Sequence, residues 1–114
     1  MSPPIKVRGS RTGRPIMALL DLLGRRWSLR LVWELRERAL TSRELRAACD
    51  EASPTVLQAR LTELRAANLV EHRTGEGYRL TPLGAELMEA FAPLFGFADR
   101  WAKVAAARAD GAEP

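Results

Sequence analysis

Residues capable of covalent or metal chemistry are scarce in this sequence. His72 is its only histidine and Cys49 its only cysteine, and the two do not stand at metal-ligand spacing. There is no glycine-rich phosphate loop, no Gly-x-Ser-x-Gly elbow and no pair of carboxylates that spacing singles out. Neither an enzyme, a cofactor nor a metal centre is expected. The side chains that do share a pattern are hydrogen-bonding ones at helical spacing. If Leu57, Leu61 and Leu64 face a core, a rotation of about 100° per residue turns Thr55, Ala59 and Thr62 outward, with Gln58 and Glu63 beside them. Glutamine pairs with adenine through two hydrogen bonds, threonine bonds to base edges or touches a thymine methyl, and alanine permits close approach. Ser53 and Thr55, with free amides at the helix start, suit a phosphate. Arg43, Arg46, Arg73 and Arg79 flank the stretch as phosphate contacts. Arg60, at the edge of the leucine stripe, can either pack its stem and pair with an acid or touch DNA, and both roles stay open.

The elements that must position these residues follow from capping and periodicity. Pro15 opens a helix over 15–23, with Ile16, Leu19, Leu20 and Leu23 at helical spacing before Gly24. A second helix over 28–38 gathers Leu29, Leu31, Val32, Trp33 and Leu35, with Trp27 at its mouth. Thr41 and Glu44 form a capping box for a short helix to about Cys49. Ser53-Pro54 starts the next helix, 54–67, which stops at Asn68. The connection between these two helices is short enough to make a tight helix-turn-helix. Residues 69–73 and 78–80 alternate like strands around the turn residues 74–77, a hairpin. Thr81-Pro82 caps a last helix in which Leu87, Phe91, Leu94, Ala98 and Trp101 form one stripe, and Pro93 and Gly96 are expected to kink or loosen it.

Charge is distributed unevenly. The formal net charge is +4, and Lys6, Arg8, Arg11 and Arg14 are the only charged residues among the first fifteen; the rest of the chain holds 14 basic and 14 acidic residues. Residues 1–13 read as a flexible basic arm, 14–107 as one domain ending in a dimerisation helix, and 108–114 as a frayed tail. Glu71 and Glu76 oppose the wing arginines, so modest non-specific affinity for polyanions is expected. No apolar run approaches the ~20 residues of a membrane span and no signal peptide is visible, which predicts a cytoplasmic protein without membrane partners. A lone cysteine excludes an internal disulfide, and its place in a mid-fold helix predicts a buried structural thiol.

With the elements in this order, the sequence resembles the HxlR-type regulators, winged-helix proteins related in architecture to the MarR family. Residues 23–28, Leu-Gly-Arg-Arg-Trp-Ser, resemble the family's Ile-Gly-Gly-Lys-Trp-Thr block. Glu44-Leu45 matches its Glu-Leu, and residues 53–64 are similar to its Ser-x-x-x-Leu-x-x-Arg-Leu-x-x-Leu recognition helix. Asn68-Leu69-Val70-Glu71-His72-Arg73 follows its Gly-Leu-Val-x-Arg with the arginine one place late. Tyr78-Arg79-Leu80-Thr81 with Gly84, and Trp101-Ala102, fall where the family has Tyr-x-Leu-Thr-x-x-Gly and Trp-Ala. Many relatives begin with a sensing Cys-Pro, whereas this chain has Arg14-Pro15; its wing connection is also shorter and lacks the family's proline-bearing segment.

The sequence therefore predicts a mainly α fold with a small β-hairpin wing, a winged helix-turn-helix. The function expected is transcriptional regulation by a homodimer on a pseudopalindromic operator in double-stranded DNA. The stripe of Leu87, Phe91, Leu94, Ala98 and Trp101 is longer than one winged core covers, and Ile16, Leu19 and Leu20 are the nearest apolar residues to complete a dimer interface. Two rival readings use the same residues. One is a winged-helix protein-interaction module, favoured by the neutral charge of the body. The other is a regulator with a small-molecule effector held among Trp27, Trp33, Phe91, Phe95 and Trp101.

Overall fold

The computed structural model describes residues 13–111. Five helices and one hairpin follow in the order α1 (Pro15–Leu23), α2 (Ser28–Glu34), α3 (Ser42–Ala48), α4 (Pro54–Ala66), β1 (Val70–Arg73), β2 (Gly77–Leu80) and α5 (Pro82–Gly111). This is the winged helix-turn-helix expected from the sequence. The basic arm lies outside the described residues except for Gly13, as do residues 112–114 of the tail.

Local signals account for most boundaries. The Thr41 hydroxyl accepts from the Glu44 amide at 3.1 Å while the Glu44 carboxylate accepts from the Thr41 amide at 2.8 Å, so the capping box is reciprocal. The Thr41 backbone bond is the main reason the Glu44 carboxyl is held below its ordinary range. Ser53 caps α4 and Pro54 occupies its first turn. Asn68 takes the left-handed conformation (φ 65°) that closes α4. Between α3 and α4, Asp50 and Glu51 are both left-handed (φ 55° and 59°), and the turn is held by the Glu51 amide on the Arg46 carbonyl at 2.9 Å.

Two expectations change. The second helix ends at Glu34 rather than at residue 38, because Leu35 is buried and the chain must leave the helix for Leu40 to bond Tyr78 in both directions, at 2.9 and 2.7 Å. Leu40 thus acts as a one-residue third strand beside the wing. The last helix runs unbroken through Pro93 and Gly96, and the acceptor that Pro93 leaves without its donor is the carbonyl of Glu89, an exposed residue. That helix also reaches Gly111, so residues 108–111, expected to be frayed, are helical.

The core joins Leu31, Val32 and Leu35 of the α2 segment, Leu45 and Cys49 around α3, Leu57, Leu61 and Leu64 of α4, and Leu69, Val70 and Tyr78 of the wing. Cys49 is fully buried, as expected, and burial pushes its thiol pKa up. The start of α5 is seated on the junction of α4 and β1. Thr81 donates through its hydroxyl to the Asn68 carbonyl at 2.5 Å and accepts from the Gly84 amide at 3.0 Å.

At Gly84 a Cβ would overlap the Leu69 carbonyl, whereas at Gly96 it would meet only the tip of Arg100, 4.0 Å away. Helical geometry also puts Gly96 on the side of α5 opposite Leu94, Ala98 and Trp101. The same substitution should therefore have opposite signs. In urea unfolding, Gly84→Ala is expected to destabilise by about 1–3 kcal/mol through overpacking, and Gly96→Ala to stabilise by about 0.5–1 kcal/mol through helix propensity.

Candidate nucleic-acid interface

Leu57, Leu61 and Leu64 are buried on one side of α4, which leaves Thr55, Gln58 and Thr62 exposed on the other and Ala59 half-buried between. Thr55 makes no side-chain hydrogen bond among the described residues. Thr62 donates to the Gln58 carbonyl at 2.9 Å, so its hydroxyl proton is used within the helix while its lone pairs stay open. Gln58 is touched from the wing: its Oε1 lies 3.4 Å from the Tyr78 hydroxyl, a long bond that leaves the amide donors free. The Ser53 hydroxyl accepts from the Val56 amide at 3.5 Å and serves as cap. A cleft of about 410 Å³ between α3 and α4 has Leu45, Leu57 and Leu61 in its floor and Arg43, Arg46 and Gln58 among its lining residues.

The arginines separate into free and engaged groups. Arg43 is exposed and unpaired among the described residues, and so is Arg65 at the far end of α4. Arg46 braces the turn through the Ala52 carbonyl at 3.3 Å and Glu51 at 3.4 Å. On the wing, β1 and β2 pair antiparallel with Glu71 opposite Arg79. The Arg79 Nε donates to Glu71 at 2.6 Å, and the Arg73 Nε lies 3.5 Å from the same oxygen. In the free chain Arg60 is paired with an acid: its side chain is mostly buried and its Nη1 lies 3.2 Å from Glu63 Oε1. The other Glu63 oxygen accepts from Arg25 at 2.9 Å. Sequence reading missed Arg25, since a contact 38 residues distant leaves no periodic signal; the i,i+3 spacing of Arg60 and Glu63 was the available hint.

The two apolar sets also divide. Leu87 packs on the core and Phe91 and Leu19 are half-buried, whereas Ile16, Leu20, Leu94, Ala98 and Trp101 are exposed. Trp101 is 64% exposed, and Phe97 and Val104, which the stripe did not include, are 50% and 60% exposed. Of the aromatic set considered for an effector, Trp33 and Phe95 meet edge to face at 4.9 Å, Trp27 packs against the core, and Trp101 is exposed.

A family profile described as HxlR-like helix-turn-helix matches residues 22–106, a span holding the turn, α4, the wing and most of α5. The chain belongs to the HxlR family. Its fold is shared by the quinone-bound crystal structure of YodB from B. subtilis, 28% identical, with a TM-score of 0.70 over 76% of this chain and 98% of that one. It is also similar to a MarR-family transcriptional regulator from Enterococcus faecalis V583 (26% identity, TM-score 0.66, 87% and 98% covered). An HxlR-family transcriptional factor from Thermoplasma volcanium GSS1, 24% identical with a TM-score of 0.68 over 79% of this chain and 86% of that chain, shares the fold. No curated protein matches the sequence. Proteins of the HxlR family are DNA-binding transcriptional regulators, not enzymes, and this chain is one of them. Among the described residues no helix is long and apolar enough to cross a membrane.

The wing pair gives this HxlR protein a pH signature. The hydrogen bond from Arg79 is the main reason the Glu71 carboxyl sits below its ordinary range, with the Arg73 charge adding to it. A carboxylate whose folded value is depressed stabilises the fold above its unfolded value, and that contribution is lost as pH falls through the folded one. Glu71→Gln is expected to remove this acid-side loss from the unfolding curve. It should also release two guanidinium groups, so that binding to random duplex tightens and its salt dependence steepens in an anisotropy titration.

Proposed function

We propose that this regulator acts in the cytoplasm as a homodimer on a pseudopalindromic operator in double-stranded DNA. The α4 helix enters the major groove and Thr55, Gln58, Ala59 and Thr62 meet base edges, with Ser53 at a phosphate. Arg43 and Arg46 bind phosphates beside α3, and Arg73 and Arg79 do so from the wing after exchanging Glu71 for the DNA backbone. The observation that carries the dimer is the apolar surface left uncovered in one chain, where Leu94, Trp101 and Val104 of α5 and Ile16 and Leu20 of α1 are all about half exposed or more. A patch of this kind marks an interaction site. A two-fold axis through it supplies two α4 helices for two half-sites about one DNA turn, ~34 Å, apart.

The YodB structure is quinone-bound, which raises the question of a reactive thiol in this chain. Cys49 is fully buried with its pKa pushed up by burial, and Arg14 precedes Pro15 where many relatives carry cysteine. Thiol sensing is therefore no part of the proposal.

Gln58→Ala is expected to cost ~1–3 kcal/mol on the operator and little on random duplex. Unchanged operator affinity would move the reading face elsewhere and favour the protein-interaction alternative. Leu94 and Trp101 are exposed in the single chain, so the double variant Leu94→Ala, Trp101→Ala should keep its helical circular dichroism. It should nevertheless sediment as a monomer and lose operator binding, although neither residue belongs to α4. A variant that remains dimeric would place the interface elsewhere.

A further inference from the structure

Arg25 stands in the turn between α1 and α2 and joins two helices that the proposed function uses for different purposes. Its Nη2 lies 3.4 Å from Asp21 of α1, and its Nη1 donates at 2.9 Å to Glu63 of α4, whose second oxygen is 3.2 Å from Arg60. The four side chains alternate in sign from α1 to the reading helix. Arg25, Arg60 and Glu63 are all less than a third exposed, so water screens them less than a surface pair.

The turn that presents Arg25 is pinned and strained. The Arg25 amide bonds the Leu22 carbonyl at 3.4 Å, and the Ser28 amide bonds the Arg25 carbonyl at 3.1 Å. Trp27, two residues on, is left-handed (φ 75°), a conformation costly for a bulky side chain and maintained only where the surroundings over-determine it. The chain of charges is also not optimised for the stability of one subunit. Among the described residues Arg60 Nε is buried without a partner, and Glu63 Oε1, although within ion-pair distance of Arg60, receives no hydrogen bond. Buried ion pairs are weak evidence for stability, and in some proteins they select one arrangement among several.

We infer that Arg25 is a positioning residue for DNA recognition, setting the angle of α4 against α1 through Asp21 and Glu63. The inference rests on the proposed reading in which α1 lies in the dimer interface and α4 in the groove. In a dimer built on α1 and α5, that angle determines the distance between the two reading helices, so a small rotation of α4 is felt at the second half-site. A single half-site, which one α4 docks by itself, does not sense it. The sensitivity is to spacing, not to base identity.

The test uses the full-length protein with three duplexes: the two-half-site operator, one isolated half-site, and operators with one base pair inserted or removed between half-sites. Arg25→Met is expected to leave sedimentation as a dimer and half-site affinity within about two-fold, while weakening the full operator about five- to thirty-fold, equivalent to 1–2 kcal/mol. The spacing variants should lose less than they do with the unmodified protein. Arg25→Lys, which can reach only one of the two carboxylates, should fall between, and it keeps the test available if Arg25→Met does not fold. Parallel losses on half-site and full operator that track the fall in Tm would make Arg25 merely structural and overturn the inference. So would unchanged binding to all duplexes. If the unmodified protein binds half-site and operator equally as a monomer, the functional reading itself fails, a result separable from the other two.

Discussion

Three leucines at successive turns of α4, Leu57, Leu61 and Leu64, settle which side of that helix is available for anything else, and the remainder of the molecule is arranged around that choice. All three are buried, against Leu31 and Val32 of α2, Leu45 of α3 and Val70 of the wing within one core. Burying a leucine stabilises by about 1.5–3 kcal/mol, whereas an exposed ion pair contributes about 0–1 kcal/mol. The orientation of the reading face is thus a consequence of apolar packing. Polar contacts act on a finer scale: Tyr78 touches Gln58 from the wing, Arg25 holds Glu63, and Thr81 seats α5 where α4 gives way to β1.

The same separation of scales explains which parts of the architecture could be read from sequence. Helix α1 begins at Pro15 and ends before Gly24, and the Thr41–Glu44 box opens α3. Each is decided by residues within one turn of each other, which is why proline, threonine and glutamate announce them. The end of α2 is not local. Residues 35–38 have nothing in their own types to stop a helix; what stops it is the bond between Leu40 and Tyr78, far along the chain.

The candidate interface was legible to the same extent. Periodicity assigns Thr55, Gln58 and Thr62 to the outer face, since the leucines define the inner one. It does not say which outer groups are already occupied. Thr62 bonds back to Gln58, Arg79 and Arg73 are held by Glu71, and Arg46 braces its own turn. The arginines that a sequence reading counts as phosphate ligands are, in the free chain, largely engaged with acids and carbonyls. On the proposed reading, binding DNA exchanges one set of charge partners for another, and net affinity depends on the difference between them. This agrees with a body of balanced charge, whose surplus resides in Lys6, Arg8, Arg11 and Arg14.

The account depends most on two α4 helices being held at a fixed distance by a two-fold built from α1 and α5. Pulsed electron resonance measures that distance directly. A spin label on Thr55→Cys, in a Cys49→Ser background, places one probe at the exposed start of each reading helix. A single narrow distribution near one DNA turn, ~34 Å, in the free protein is the result expected. An absence of any intermolecular distance at micromolar concentration, or a distribution that no half-site spacing can match, would contradict it.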